Sequence, residues 1–261
     1  MHADESGIRG ILAATPADDA AAQALSLRTG WPVLDRGEDG GGIVLAVCDG
    51  GLEARDRDAM PSIAARVDFL SERMAYRRGA GRLAGELIGR AVGSKEPLWI
   101  VDATAGFGRD AFLLAALGHR VTAVERVRAT AELLADGLAR ARADAETADI
   151  ANRIAVVWAD AREWLLSLPA TERPDVVYCD PIFPDKGKSA AVKKEMRLMR
   201  LLAGPDADAQ ALHAAARETA RRRVIVKRWQ NAAPLSPGVS HAIPGKMVRF
   251  DVYCTPPAAR T

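Results

Sequence analysis

The residues of this chain best suited to chemistry form the run Asp180-Pro181-Ile182-Phe183-Pro184. Four apolar positions precede it, Val176 to Cys179, so a carboxylate stands at the end of a buried strand. A carboxylate and a proline-held backbone carbonyl can accept the two hydrogens of an amine on a flat base. That favours a pyramidal nitrogen able to attack an electrophile. Phe183 can stack on the base once the base leaves its own stack, and alignment of the reacting groups supplies much of the rate. The structural alternative is a proline-rich turn closing a buried strand. Asp180, Pro181 and Phe183 are the candidate catalytic residues.

Three earlier segments suit a nucleoside. Val101-Asp102-Ala103-Thr104-Ala105-Gly106-Phe107-Gly108-Arg109-Asp110 is a small-residue turn, and Asp102, Gly106 and Gly108 would let a ligand approach backbone there. Its spacing is not the full GxGxxG of dinucleotide enzymes. Glu125 closes the next apolar run, about 20 residues past the turn, where a ribose needs an acceptor for its hydroxyls. Asp160, before Ala161, ends a third run, where an adenine amino group could be read. Taken singly, Glu125 and Asp160 are equally well read as helix caps, and the turn as purely structural. Together they place their groups in one crevice, because parallel strands present all their carboxyl ends on one edge.

The elements that must position these groups alternate short β-rich runs with helical stretches. Strands are expected over 98–101, 121–124, 154–158, 176–179 and 223–226. Helices are expected over 110–117, 129–145, 162–168, 190–202 and 209–220. This is the pattern of βαβ units. The run 247–254 alternates and suits an antiparallel last strand, while 229–245 looks too short and proline-rich for a helix. The fold class is therefore α/β, doubly wound and mostly parallel. A small N-terminal α/β subdomain is expected over 1–65, with a helix over 18–27 and a strand over 43–48 turning back at Asp49-Gly50-Gly51. The larger domain is expected over 66–261, with a helix over 83–92 near its start.

Of the 261 residues, 49% are hydrophobic and 27% charged, which is ample for a buried core. The 3 cysteines are far apart, and neither they nor the 4 histidines show metal-ligand spacing. No metal is expected, no apolar run reaches membrane-span length, and a cytoplasmic location fits. The net charge is only +2, yet basic residues cluster. Lys186, Lys188, Lys193, Lys194, Arg197 and Arg200 face only Asp185 and Glu195 in one stretch. Lys227 and Arg228 close another. Such a distribution fits contact with a phosphate backbone, although a charge run is usually a solvated face.

The Asp180 run is similar to the (Asp/Asn)-Pro-Pro-(Tyr/Phe) motif of amino-methyltransferases, with Ile182 in place of the second proline. More broadly, residues 66 to 256 resemble the family of small-subunit ribosomal RNA guanine-N2-methyltransferases J. The likeness is carried by Val67-Asp68-Phe69, Met74-Ala75-Tyr76-Arg77-Arg78, the turn from Asp102 to Asp110, Glu125-Arg126 and Asp136-Gly137-Leu138-Ala139-Arg140. It continues in Asp180 to Pro184, Lys188-Ser189-Ala190, Val192-Lys193-Lys194-Glu195-Met196, Val226-Lys227-Arg228 and Arg249-Phe250-Asp251-Val252-Tyr253. The resemblance implies a Rossmann-like class I methyltransferase using S-adenosylmethionine. It also implies cofactor contacts at Arg109, Asp110, Glu125, Arg126, Asp160, Ala161 and Asp180, and methylation of a guanosine N2 near the 3′ end of 16S rRNA, free or within the 30S subunit. Tyr76 stands where a His is common in the family, and Asp160-Ala161 where a Ser-Ser pair is common. An amino-methyltransferase acting on another base such as adenine N6, or a non-catalytic RNA-binding assembly factor, are the alternative readings. Lys186, Lys188, Lys193, Lys194, Lys227 and Arg228 are the expected RNA contacts.

Overall fold

The computed structural model describes residues 7–38, 40–72, 74–75, 87–181, 197–198, 201–202 and 208–255. Ile182 to Met196, which include Phe183, Lys186, Lys188, Lys193 and Lys194, lie outside the described residues, as does most of the helix expected over 190–202.

The larger sheet has seven strands: β6 (Trp99–Asp102), β7 (Arg120–Glu125), β8 (Ile154–Trp158), β9 (Val176–Cys179), β10 (Arg223–Trp229), β11 (His241–Pro244) and β12 (Val248–Cys254). Their spatial order is β11-β12-β10-β9-β6-β7-β8. β6 to β10 are parallel, and β12 runs antiparallel to both of its neighbours. The mostly parallel sheet with an antiparallel last strand is as expected; β11, four residues ending in Pro244, is too short to show a strand pattern in the sequence. From β6 the chain builds outward through β7 and β8, then returns to lay β9 on the other side of β6. That reversal opens a crevice at the carboxyl ends of β6 and β9, the usual ligand position of such sheets.

Helices α2 (Leu87–Val92), α3 (Arg109–Ala116), α4 (Arg128–Ala143), α5 (Ala148–Ala151), α6 (Ala161–Ser167) and α7 (Ala209–Thr219) surround this sheet. α4 shows why these sequences are helical: Ala129, Leu133, Leu134, Leu138 and Ala141 recur at helical spacing and are all buried. The opposite sheet face, with Val101, Val177 and Val224, packs with Leu165 of α6 and Leu212 of α7. Truncating one such leucine to alanine costs about 2–5 kcal/mol.

Residues 8–65 form a second, five-stranded sheet in the order β2-β1-β3-β4-β5. Its strands are β1 (Ile8–Ala13), β2 (Val33–Leu34), β3 (Ile43–Cys48), β4 (Gly51–Asp56) and β5 (Ile63–Ala65), with α1 (Asp19–Thr29) beside them. The β3–β4 hairpin turns on Asp49 and Gly50, both with positive φ (48° and 67°), as a tight two-residue turn requires. α4 is gripped by this sheet. Asp136 accepts from the Leu52 amide at 3.0 Å and Arg140 donates to the Val67 carbonyl. Leu45 and Leu52 share one hydrophobic cluster with Leu133, Leu138, Ile100 and Tyr178.

Candidate active site at the carboxyl ends of β6, β7 and β9

β6 delivers Asp102, only 1% exposed, into the crevice. Its Oδ1 accepts from the Thr104 amide at 3.2 Å. The chain then turns on Gly106 and Gly108, whose φ angles are +53° and +69°. At Gly108 a side chain is excluded twice over, because a Cβ there would also stand 2.4 Å from Leu134 Cδ1. Arg109 then opens α3, with Asp110 in its first turn.

β7 ends in Glu125, 8% exposed. Its Oε2 accepts from the Gly106 amide at 2.8 Å and its Oε1 from the Val127 amide at 2.8 Å. Glu125 therefore ties the glycine turn to the start of α4, a role that spacing alone did not reveal. Its neighbour Arg126 pairs with Asp208 at 3.1 Å. Asp160 is the N-cap of α6: Oδ1 accepts from the Arg162 and Glu163 amides at 2.9 and 3.1 Å, so the capping reading holds for it. Ala161 follows as the first, buried residue of that helix.

β9 ends at Cys179, and Asp180 follows with its amide donating to Thr104 Oγ1 at 2.6 Å. Lys227 Nζ, from β10, donates to Asp180 Oδ2 at 2.7 Å and to Asp110 Oδ2 at 2.8 Å. Tyr178 donates its hydroxyl to the same Asp110 oxygen at 2.6 Å. Pro181 is buried beside this cluster. Thr104 and Tyr178 are site residues that the motifs did not single out. Tyr178 lies two positions before Asp180 on a strand, so both project to one face; that period-two relation was the available signal.

Lys227, among the expected RNA contacts, stands within the crevice. Its ammonium is committed to two carboxylates, and the side chain is 24% exposed. The physical reason is register: Val226 pairs with Cys179, which sets Lys227 level with Asp180 across the sheet. Arg228 points to the other side and donates to the Ala233 carbonyl at 2.6 Å.

The electrostatics follow from this crowding. Burial, and then the charge of Asp110, push the Asp102 carboxyl well above the ordinary range, with Asp180 adding to the effect. The Thr104 amide and Lys227 oppose it. Burial also raises the Tyr178 hydroxyl, and the neighbouring carboxylates raise it further. For Lys227 burial works against the charge, yet Asp110 and Asp180 outweigh it and hold the ammonium above its usual value. Asp110 and Asp180 share the Lys227 ammonium, and the buried Asp102 carboxyl lies close beside them. S-adenosylmethionine carries a sulfonium and an ammonium beside its own carboxylate, so acidic side chains suit its cationic groups, and its ribose hydroxyls suit an acceptor such as Glu125.

Comparison with known proteins agrees. Residues 29–255 match the family model described as "Putative SAM-dependent methyltransferase". The ribosomal RNA small subunit methyltransferase J of Thioalkalivibrio sulfidiphilus is 47% identical over 240 residues, covering 90% of this chain and 92% of that protein. Its counterpart in Klebsiella pneumoniae is 44% identical over 247 residues, covering 93% and 96%. Among solved structures, a SAM-dependent methyltransferase from Neisseria gonorrhoeae superposes with a TM-score of 0.72 at 34% identity, covering 97% of each chain. The fold, the carboxylate-rich crevice and these relatives together place the chain in the ribosomal RNA small subunit methyltransferase J family, whose cofactor is S-adenosylmethionine.

Proposed function

We propose that this protein methylates the exocyclic N2 amine of a guanosine near the 3′ end of 16S rRNA, in the cytoplasm. The observation that carries the reading is Asp180, held at the crevice by Thr104 and Lys227 at the head of an Asp-Pro-Ile-Phe segment. The names of the curated relatives supply the ribosomal substrate. The guanine follows from the family resemblance.

When bound, S-adenosylmethionine supplies a methyl group made electrophilic by its sulfonium. Asp110 lies where it can balance positive charge on the cofactor and Asp102 where it can hydrogen-bond the cofactor, and Glu125 can accept from ribose hydroxyls while retaining its bonds to the turn, since a carboxylate offers about four lone-pair sites. Asp160 caps α6 with one oxygen, which leaves its second for an adenine amine. Asp180 accepts a hydrogen from the target amine, and the Pro181 ring fixes the backbone beside it. Phe183 stacks on the base, and Lys186, Lys188, Lys193, Lys194 and Arg228 follow the RNA backbone. Residues 1–65 are the small N-terminal subdomain and residues 66–261 the methyltransferase domain.

The test is methyl transfer to 30S subunits that lack the modification, with the methylated nucleoside identified by mass spectrometry. N2-methylguanosine is the expected product, and N6-methyladenosine as sole product would overturn the reading. Asp180→Ala should lower turnover by at least about a hundredfold, as loss of a positioned polar group does. Activity near wild type would remove Asp180 from the mechanism.

A further inference from the structure

β10 carries a second message at its outer end. Ile225, Lys227 and Trp229 alternate onto one face of the sheet, the face that also bears Tyr178 and Phe250. Ile225 is fully buried, Lys227 reaches Asp180, and Trp229 is 57% exposed. Trp229 therefore stands one pleat repeat beyond the catalytic carboxylate's partner, roughly 7 Å further toward the rim of the crevice.

A large aromatic side chain left in water at the mouth of a polar site calls for a reason. Its backbone is held firmly. Arg249 donates to the Trp229 carbonyl at 3.2 Å and to the Gln230 carbonyl at 2.6 Å, and is itself anchored on Asp251. Gln230 in turn donates its amide to Met247 at 2.9 Å, and Met247 is likewise exposed. Arg228 and Arg249 flank Trp229 in the ladder but project from the opposite face, to the Ala233 carbonyl and to Asp251, whereas Lys246, just before β12, is exposed. An exposed aromatic face on a firmly held backbone, with an exposed lysine just before the neighbouring strand, is a combination that suits an unpaired nucleobase and its phosphate.

We propose that Trp229 is a stacking platform for a single-stranded nucleobase of the RNA, adjacent to the nucleotide that enters the crevice. This rests on the RNA reading above and deepens it by naming a residue that holds the substrate strand. The platform contributes through a π-face and carries no charge. Removing it should weaken RNA binding without altering how that binding depends on salt.

The experiment measures steady-state transfer to undermethylated 30S subunits by wild type, Trp229→Ala and Trp229→Phe, with S-adenosylhomocysteine affinity and sedimentation recorded for each. Trp229→Ala should raise the KM for the subunit by roughly five- to a hundredfold, the range for loss of one base stack, and Trp229→Phe should recover most of it. Cofactor affinity should stay within about twofold. The slope of log affinity against log salt should be unchanged, whereas Lys246→Ala should reduce it by about one. An unchanged KM in Trp229→Ala refutes the platform, as does a shift from dimer to monomer on sedimentation, which would make this face a contact between copies of the chain. Absence of transfer by the wild type refutes the ribosomal RNA reading itself. Transfer by wild type that Trp229→Ala leaves undiminished refutes the platform alone.

Discussion

Lys227→Met tests the electrostatic account of the site. The substitution keeps most of the side-chain volume and removes the ammonium that lies 2.7 Å from Asp180 and 2.8 Å from Asp110. Each contact carries about 6 kcal/mol of gross attraction at an effective dielectric near 20. Desolvation of the ammonium takes back most of that, and screening takes more, because Asp180 is 40% exposed. Losing one partner of such a partly buried cluster should cost about 2–3 kcal/mol net, at or just below the roughly 3–5 kcal/mol of fully buried pairs. In a chain of this size that corresponds to a fall in Tm of about 5–10 °C. The Lys227 pKa is raised, so its contribution is complete below the ordinary lysine value of about 10.4 and fades only as pH rises through the higher folded value. The deficit should accordingly be flat between about pH 6 and 9. Calorimetric unfolding of wild type, Lys227→Met, Asp180→Asn and the double variant measures it. The two single effects should fall short of additivity by about 1–2 kcal/mol. A second readout is cofactor preference: losing a cation from the pocket should shift affinity toward cationic S-adenosylmethionine relative to neutral S-adenosylhomocysteine. Additive stability effects together with an unshifted cofactor ratio would refute the reasoning.

Other substitutions probe the remaining parts. Asp102→Asn should gain stability relative to wild type as pH rises. The raised Asp102 pKa means the wild type's favourable protonated form is fully present below the unfolded value and is lost on passing through the folded one. Thermal unfolding at pH 5 and pH 8 measures the difference, and equal differences at both would exclude a perturbed Asp102. Gly108→Ala should cost at least about 2 kcal/mol and weaken cofactor binding, because the new methyl meets both an unfavourable φ and the Leu134 side chain. Isothermal titration with S-adenosylhomocysteine and denaturant unfolding would detect both losses. Tyr178→Phe deletes the hydroxyl that bonds Asp110 at 2.6 Å and should lower stability by about 1–2 kcal/mol. A Tm equal to wild type would show that this bond is not a net contributor.

Much of this site was legible before any coordinates, for a physical reason. The strands of a parallel sheet are apolar runs, and whatever polar residue ends each run must lie on one edge. Asp102, Glu125 and Asp180 could be read that way. Register could not be read, because which residue faces which across two strands depends on the pairing alone, and so the bonds of Lys227 to Asp110 and Asp180 were not legible. Asp160 was open to two readings, and its hydrogen bonds show the helix cap. In the amino-terminal sheet, β1 is interrupted by Arg9 and Gly10, while β2 and β5 span two and three residues, too short for a periodic signal. Some family-like runs acquired structural reasons only from the contacts. Phe69 stacks on Phe112 with ring centres 4.4 Å apart. In the stretch from Asp136 to Arg140, a Cβ on Gly137 would come within 2.5 Å of Val67.

That grip on α4 has a consequence for how the protein is made. The five-stranded sheet is complete at Ala65, but its apolar residues are covered in part by a helix that begins only at Arg128 and ends at Ala143. On the ribosome the sheet therefore emerges before its cover. At about 5–20 residues per second the delay is roughly four to sixteen seconds. During that interval the hairpin of β3 and β4 presents Leu45, Val47 and Leu52 to the surroundings as unprotected surface. The amino-terminal unit produced without α4 should share this exposure permanently, and should aggregate where the full chain stays dispersed.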